Sequence, residues 1–203
     1  MATQAQRSAR TRSALLESAA RGLSRHGYGN LVLERVAREA GYTRGALYHQ
    51  FKDKDELVLA VLEWADQTWR AEVGAKVERE HDPAAALIAL ARGHAVFCRR
   101  DVARFEIALR LEFGDKDNPV GREVARISGT LVKRITRLIN AGRGDGSIPA
   151  GPPAKAVALA YIGALEGTVI ALAGQPSNDE LLAARAVAGV LGIEPPPTLA
   201  SGG

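Results

Sequence analysis

Apolar residues recur at helical spacing through the first fifty residues of the chain. The pattern predicts three helices, over about residues 7–26, 31–40 and 43–50, each with one apolar face. The residues on these faces are Leu15, Leu16, Ala19 and Leu23, then Leu33, Val36, Ala37 and Ala40, then Leu47 and Phe51. Gly27 and Gly41 are expected to end the first two helices, because glycine readily adopts the backbone conformation found at helix C-termini.

Capping residues mark the starts of the remaining helices. Thr43 is the expected cap of the third helix, and Asp53 with Glu56 has the spacing of an acidic capping box for a long fourth helix that runs toward Arg79. Later starts carry a capping side chain, a nearby proline, or both: Asp82-Pro83, Asp101, Asn118-Pro119, Pro152-Pro153, and Ser177 with Glu180. Residues 141–153 are predicted to form the main interior loop.

The predicted elements define an all-α fold of about nine helices. Three helices form an N-terminal head over residues 1–52, and a long fourth helix joins it to a helical body, the two together making residues 53–195. Residues 196–203 are expected to form a disordered tail. Aromatic residues make up only 5% of the chain, and strand-type alternation is hard to find, which argues against an all-β fold.

Composition favours a cytoplasmic protein. The single cysteine, Cys98, cannot form an internal disulfide, which fits a reducing compartment. The N-terminus lacks the continuous apolar stretch of a signal peptide. Residues 156–174 approach membrane-spanning length, but Glu166 and glycines interrupt them, so no membrane span is expected.

Charge is distributed unevenly along the chain. Residues 1–54 contain ten Lys and Arg against four acidic residues, a net charge of +6, whereas the other 149 residues carry 17 and 19, a net charge of −2. A basic head on a slightly acidic body suggests a polyanionic partner at the N-terminal end. A solvated basic face would show the same imbalance, so charge alone does not decide.

The segment GYTRGALYHQFKDKDE (41–56) indicates what that partner is. Three helices in about 45 residues, with a glycine-containing turn before the third, match a helix-turn-helix. Thr43, Arg44 and Gly45 begin the third helix, where free backbone N–H groups favour phosphate, and Arg is suited to a guanine edge. Tyr48 and His49 lie one turn further on and can reach the DNA backbone.

Lys54 in the first turn of the fourth helix opposes the helix dipole. Its position is explained if DNA phosphate compensates the charge. The alternative is a solvated lysine that is balanced by Asp53 and Asp55.

The same segment resembles the recognition-helix signature of the TetR/AcrR family of bacterial transcriptional regulators. The resemblance extends upstream through GYGNLVLERVAREAG and covers about residues 7–60 in detail. It implies a homodimer that binds a palindromic operator on double-stranded DNA, most often as a repressor, and leaves the DNA when a small molecule enters the body. It also implies base or adjoining phosphate contacts for Thr43, Arg44 and Gly45, and backbone contacts for Tyr48, His49 and Lys54.

Two departures from the family pattern concern the second helix. Leu31 and Val32 replace the usual Thr or Ser, so we expect Asn30 to take over the cap and treat the phosphate contacts there as open. Glu34 stands where several relatives have a base-reading Arg. A glutamate there accepts from cytosine N4, or else it repels phosphate or pairs with Arg38 one turn along.

The body is expected to supply an effector pocket and a dimer surface. The effector is expected to be a largely apolar small molecule, because such pockets are mostly apolar with a few polar groups. The pocket candidates are Trp64, Thr68, His94, Phe97, Phe105, Leu109, Phe113, Tyr161 and Leu165. Core packing is the alternative for each aromatic residue, and His94 is either a satisfied core histidine or the polar group of the pocket. Glu166, in an otherwise apolar helix, is left without an assigned role.

Small residues mark the expected dimer surface in the last two helices. They permit close helix approach, and in this family the corresponding helices of two subunits commonly form a four-helix interface. The candidates are Ala158, Gly163, Gly167, Ala171, Ala184 and Ala188. The alternative is a helix pair packed within one subunit.

The sequence argues against an enzyme. The four histidines are scattered, and no HExxH, GxSxG or cysteine pair is present. The glycine-rich residues 142–147 open no strand-loop-helix unit, so no phosphate loop is expected. Without these motifs, no metal site or cofactor is expected either. A DNA-binding regulator without a ligand, and an activator in place of a repressor, remain alternatives.

Overall fold

The computed structural model describes residues 3–100, 105–113, 117–173, 175 and 177–195, and within these ranges every regular element is helical. The helices are α1 (Gln4–His26), α2 (Leu33–Glu39), α3 (Arg44–Gln50), α4 (Lys54–Trp69), α5 (Pro83–Phe97), α6 (Phe105–Phe113), α7 (Pro119–Asp145), α8 (Ala154–Ala171) and α9 (Asp179–Leu191). A π-helical turn, Arg70–Gly74, and a short helical segment, Ala75–Val77, follow α4. The predicted all-α class is therefore confirmed.

Several predicted helix ends are confirmed by their hydrogen bonds. Thr43 Oγ1 accepts the Ala46 N–H at 3.2 Å. Asp82 Oδ1 accepts the Ala84 N–H at 2.9 Å, and Asn118 Oδ1 accepts the Gly121 N–H at 2.7 Å. Gly27 ends α1 with φ of 70°, a conformation that glycine adopts without strain. These side chains act within one turn of their own position, which is why the sequence predicts them.

Three expectations about helix ends are wrong. Asn30 does not cap α2, because its amide donates to the His26 carbonyl at 3.2 Å and the cap residue, Val32, makes no side-chain bond. Ser177 does not cap α9, which begins after Asn178 without a side-chain cap bond. The predicted loop at 141–153 begins later, because α7 continues to Asp145.

A local contact after its last turn accompanies the extension of α7. The Ile148 N–H donates to the Gly142 carbonyl at 2.9 Å, and a Cβ on Gly142 would lie 2.7 Å from the Ile148 side chain. Gly142 therefore admits the returning chain over the last turn, where a larger residue would exclude it. The predicted helix start at Asp101 and the predicted disordered tail lie outside the described residues.

The chain divides into two compact units. Unit 1 comprises residues 1–68 and 100–127, and unit 2 comprises residues 69–99 and 128–203. In unit 1 the apolar faces of α1 to α4 share a core with α6 and the start of α7. The buried Ser18 hydroxyl donates to the Val36 carbonyl at 3.0 Å and joins α1 to α2. The compact unit that contains the head is thus larger than the segment 1–52 predicted as a DNA-binding domain.

In unit 2, α9 packs against α5 and α8. The buried Tyr161 hydroxyl donates to the Leu87 carbonyl at 2.6 Å and joins α8 to α5. Arg99 donates to both oxygens of Asp179, at 2.7 and 2.9 Å, and holds the start of α9. This hydrogen bonding lowers the pKa of the Asp179 carboxyl.

Helix α8 is long and apolar enough to cross a membrane by length and composition alone. One such helix is weak evidence, because core helices of soluble proteins pass the same test. Seven of its residues, among them Val157, Tyr161 and Leu165, are buried within the chain.

Candidate functional site

Helix α3 is held to unit 1 by two apolar side chains. Leu47 is 0% exposed and Phe51 is 1% exposed, and the Arg12 guanidinium lies 4.6 Å from the centre of the Phe51 ring. Gly41 in the turn before α3 has φ of 80°, which favours glycine at this place. The inward face of α3 is therefore fixed, and the other face is free to meet a partner.

Five predicted DNA-contacting residues lie together on that outer face. The residues Thr43, Arg44, Gly45, Tyr48 and His49 are all exposed. A Cβ on Gly45 would touch only the Thr43 hydroxyl, at 3.8 Å, so no protein group covers this position. The structure thus brings together the first-turn residues and the residues one turn further on.

The Arg44 guanidinium is held by two neighbouring side chains. Its Nε lies 3.2 Å from Glu34 Oε1, and its Cζ lies 5.3 Å from the centre of the Tyr48 ring. Of the alternatives for Glu34, the pairing with Arg38 is not formed, because Glu34 reaches across to Arg44 on the next helix of the motif. Sequence alone favours a partner one turn along the same helix, since the helix fixes the distance between those two side chains.

Lys54 lies against the turn after α1. Its Nζ donates to the Gly29 carbonyl at 3.3 Å and lies 4.2 Å from the centre of the Tyr28 ring. Desolvation lowers the pKa of its ammonium group, although the Glu112 and Asp55 carboxylates act in the opposite direction. Lys54 therefore has contacts of its own within unit 1, which neither sequence interpretation included.

Glu112 on α6 fixes the same turn and was missed by sequence reasoning. Its two carboxylate oxygens accept the backbone N–H groups of Tyr28 and Gly29, each at 2.8 Å. The Tyr28 ring meets Phe113 edge-on with centroids 4.9 Å apart, and its hydroxyl donates to Asp55. Desolvation, followed by the hydrogen bond to Asp55, raises the pKa of Tyr28 to about 12. No local signal reveals this contact, because 83 residues separate Gly29 from Glu112.

The nine predicted effector-binding residues fall in both units. Unit 1 contains Trp64, Thr68, Phe105, Leu109 and Phe113, and unit 2 contains His94, Phe97, Tyr161 and Leu165. Phe105, Leu109 and Tyr161 are 0% exposed, and Thr68 donates to the Trp64 carbonyl of its own helix at 2.7 Å. Within each unit these side chains contribute to the packing, and their role toward an effector stays a prediction.

The imidazole of His94 has protein partners at both nitrogens. Nδ1 accepts from Trp69 Nε1 at 3.1 Å, and Nε2 lies 3.4 Å from the Cys98 sulfur. An acceptor at Nδ1 requires the neutral ring to carry its proton on Nε2. Burial lowers the pKa of His94 to about 4, so the ring is neutral at pH 7. Of the two predicted alternatives, the contacts favour the satisfied core histidine.

Unit 2 contains a cleft of about 380 Å³. Its lining residues are Lys76, Arg79, Glu80, Ala89, Arg92, Gly93, Val96 and Glu180. None of the nine predicted effector residues is among them. The sequence signal for this cleft is its three basic residues, Lys76, Arg79 and Arg92, which were not among the predicted site residues.

The six predicted dimer residues divide into two groups. Ala158, Ala184 and Ala188 are 0% exposed because α8 and α9 pack on each other within the chain. Gly163, Gly167 and Ala171 are exposed, and a Cβ on either glycine would meet nothing within 4 Å. Leu159 and Ile170, also on α8, are each 54% exposed. The small residues therefore serve two different faces.

A short two-helix motif with an exposed, basic second helix on an all-α scaffold defines a helix-turn-helix protein. Residues 15–61 match the sequence profile described as "Bacterial regulatory proteins, tetR family". This segment of the chain is therefore similar to the DNA-binding region of tetR-family regulatory proteins.

Named relatives match over the head. The chain is 39% identical over 51 residues to the HTH-type transcriptional repressor AcnR of Corynebacterium efficiens, which is 25% of this chain and 27% of the repressor. It is 40% identical over 58 residues to the HTH-type transcriptional regulator TtgR of Pseudomonas putida, which is 29% of this chain and 28% of that regulator. The chain thus spans little more than a quarter of each of these relatives.

Solved structures match over nearly the whole chain. SCO4454, a TetR-family transcriptional regulator from Streptomyces coelicolor, superposes with a TM-score of 0.74 and 27% identity, covering 90% of this chain and 95% of that chain. AibR, in complex with isovaleryl coenzyme A and operator DNA, superposes with a TM-score of 0.73 and 18% identity, covering 91% and 100%. The second likeness concerns the fold alone.

Proposed function

We propose that the protein is a ligand-responsive repressor that binds a palindromic operator on double-stranded DNA as a homodimer in the bacterial cytoplasm. A small molecule bound in the body releases the DNA. One alternative is a DNA-binding regulator without a ligand. The other is an activator, which differs from a repressor in where the operator lies relative to the promoter.

The observation that carries the proposal is the outer face of α3. Its exposed residues combine an arginine, a hydroxyl, an imidazole and a phenol on a helix whose other side is buried. Arg pairs with two acceptors on a guanine edge, while Tyr48 and His49 suit the DNA backbone. Thr43 and Gly45 leave the first turn open for close approach.

Glu34 and Lys54 receive more specific roles in this proposal. Glu34 holds the Arg44 guanidinium beside Tyr48, so the arginine is oriented before DNA arrives. Lys54 donates one N–H to the Gly29 carbonyl, and its ammonium group retains further donors for phosphate. The Asn30 amide donates to the end of α1, so Asn30 contributes to DNA binding by stabilising the same turn.

The exposed part of α8 supports the homodimer. Leu159, Gly163, Gly167 and Ile170 present an apolar strip with two positions that have no side chain. Two such strips can approach closely, and a two-fold dimer matches a palindromic operator with half-sites one turn, about 34–36 Å, apart or a multiple of it. An effector releases DNA by favouring a dimer state with a different spacing, a coupling of about 1–3 kcal/mol.

Fluorescence anisotropy with a selected operator and with random DNA tests the role of α3. Arg44→Ala should weaken operator binding by about 1–3 kcal/mol, or roughly five- to 150-fold, and random DNA far less. Arg137→Ala, which removes an exposed arginine from α7, is the charge-matched control and should change neither. Equal losses on both DNAs from Arg44→Ala would contradict base reading by this residue.

A further inference from the structure

We propose that the cleft in unit 2 binds a small amphipathic organic anion, that is, a carboxylate or phosphate group on a short apolar chain. As a candidate effector this ligand rests on the proposed function, but its binding does not depend on DNA. The proposal is carried by three unpaired cations, the apolar side chains beside them, and the packing of the π-helical turn on helix α5 that brings them together.

One face of helix α5 and the turn that follows Ala75–Val77 build the cleft. Helix α5 contributes Ala89, Arg92, Gly93 and Val96, which have the i, i+3, i+4, i+7 spacing of one face. The short helical segment after the π-helical turn contributes Lys76, and the turn that ends it contributes Arg79 and Glu80. Glu180, in the first turn of α9, closes the lining.

The π-helical turn, Arg70–Gly74, sets the register of the short helical segment after it. A π-turn inserts about one residue, so the residues after it are rotated by about 100° relative to a continuous α-helix. Val73 in the turn contacts Gly93, where an added Cβ would lie only 2.9 Å from Val73 Cγ1. Arg134 donates to the Gly74 carbonyl at 3.2 Å and stabilises the irregular turn. The π-helical turn therefore sets the rotation of the Ala75–Val77 segment, whose Lys76 lines the cleft.

The charges of the lining are unbalanced. Lys76, Arg79 and Arg92 form no ion pair or side-chain hydrogen bond with any residue in the described part of the chain. Of the two acidic groups, Glu180 is bound by Arg99 at 3.0 Å, which leaves Glu80 alone to oppose three cations. Arg92 is half-buried, and a partly desolvated guanidinium without a partner favours an anionic ligand.

Size and polarity narrow the ligand class. About 380 Å³ lies at the lower end of the range for small-molecule sites, roughly 300–1,000 Å³. Ala89 and Val96 supply apolar surface next to the cations, and Val96 is 38% exposed without a ligand. A polyanion without apolar parts would leave this surface uncovered, whereas a fatty-acid-like carboxylate or a short alkyl phosphate covers it.

Displacement of the fluorescent anion 8-anilinonaphthalene-1-sulfonate from the full-length protein tests the proposal. Octanoate and octyl phosphate should displace the probe, and octylamine, which has the same chain with the opposite charge, should not. Arg92→Gln and the double variant Lys76→Gln/Arg79→Gln should weaken octanoate binding at least about fivefold, the loss expected for a charge-assisted contact. Glu80→Gln should strengthen it.

Arg137→Gln, outside the cleft on α7, is the matched control and should leave octanoate binding unchanged. The double variant changes only exposed side chains, so it keeps the test valid if Arg92→Gln unfolds. Equal displacement by octylamine, an equal loss in Arg137→Gln, or no displacement by either anion would overturn the proposal. Operator affinity with and without octanoate is a separate measurement: displacement without a change in operator affinity supports the site and contradicts its role as the effector site.

Discussion

At the scale of single residues, the proposed reading of DNA depends on the arrangement around Arg44. Arg44 and Glu34 are exposed, with side chains 66% and 47% accessible, so their ion pair contributes little to stability, typically about 0–1 kcal/mol. The ion pair instead positions the Arg44 guanidinium beside Tyr48. Glu34 also places a negative charge next to the face that meets phosphate.

Glu34→Gln should therefore have opposite effects on the two kinds of binding. Removal of the carboxylate charge should strengthen binding to random DNA, because phosphate repulsion falls, while the looser Arg44 lowers the preference for the operator. The Kd for random DNA divided by the Kd for the operator measures this preference. Measured by anisotropy at one salt concentration, this ratio should fall about threefold or more. Glu39→Gln, exposed at the end of the same helix, is the control. An unchanged ratio in Glu34→Gln would show that Glu34 does not position Arg44.

His94 makes the stability of unit 2 depend on pH. Its pKa is lowered from 6.5 to about 4 in the folded protein, so between these values the unfolded chain takes up a proton that the folded chain excludes. The free energy of unfolding should fall as pH drops from about 6.5 to about 4, by up to about 1.4 kcal/mol per pH unit from this group.

His94→Gln should flatten this pH dependence. Urea unfolding at several pH values gives the slope for the wild type, for His94→Gln, and for His81→Gln as an exposed-histidine control. We expect the slope between pH 4 and 6.5 to decrease only in His94→Gln. The same slope in all three proteins would mean that His94 is protonated in the folded state.

At the scale of elements, local chemistry explains which features the sequence predicts. Thr43, Asp82 and Asn118 cap their helices through bonds to residues two or three positions away, so spacing alone reveals them. The helix-turn-helix is likewise a short segment with its own pattern. Features that depend on distant contacts are not predictable in this way: the π-helical turn, whose Gly74 carbonyl accepts from Arg134, is an example.

The same distinction applies to the candidate sites. The outer face of α3 follows from helical spacing, but its Glu34–Arg44 pair joins two helices whose relative position the sequence does not state. The cleft in unit 2 depends on the π-helical register, and Glu112 reaches its turn across 83 or more residues. Phe105 and Tyr161 are predicted effector residues that are fully buried. Aromatic residue type does not distinguish the two roles, because packing and ligand binding select the same residue types.

The contact between α6 and the turn after α1 is a stabilising element of unit 1. Glu112→Gln keeps the shape of the side chain but loses the charge and one of the two acceptors at 2.8 Å. We expect the free energy of unfolding to fall by about 1–2 kcal/mol. Glu17→Gln, exposed on α1, should change it by less than about 0.5 kcal/mol in the same urea experiment. Equal stability of the two variants would contradict this role for Glu112.

At the scale of the whole molecule, each chain carries one reading helix and one exposed apolar strip. A two-fold dimer supplies two reading helices and covers Leu159 and Ile170, which are each 54% exposed in the single chain. The basic N-terminal 54 residues, with a net charge of +6, then meet DNA at two places. In the proposed function, dimerisation and operator binding are therefore linked.

Gly163→Leu/Gly167→Leu should dissociate the dimer without unfolding the chain. A Cβ at either position meets nothing within 4 Å in the single chain, so the leucines obstruct only an approaching partner. Sedimentation velocity should show the variant as a monomer at concentrations where the wild type is a dimer, with unchanged circular dichroism. Gly129→Leu, at a similarly open helical position on α7, is the control. A variant that still sediments as a dimer would place the interface elsewhere.

Selection of bound sequences from a random double-stranded DNA library, with the purified protein near physiological salt, tests the central claim most directly. We predict enrichment of a palindrome whose half-sites are separated by about one DNA turn or a multiple of it. We also predict that the Arg44→Ala protein loses that enrichment. Recovery of no sequence above the non-specific background, or of a motif that Arg44→Ala retains unchanged, would contradict the proposal that α3 reads an operator.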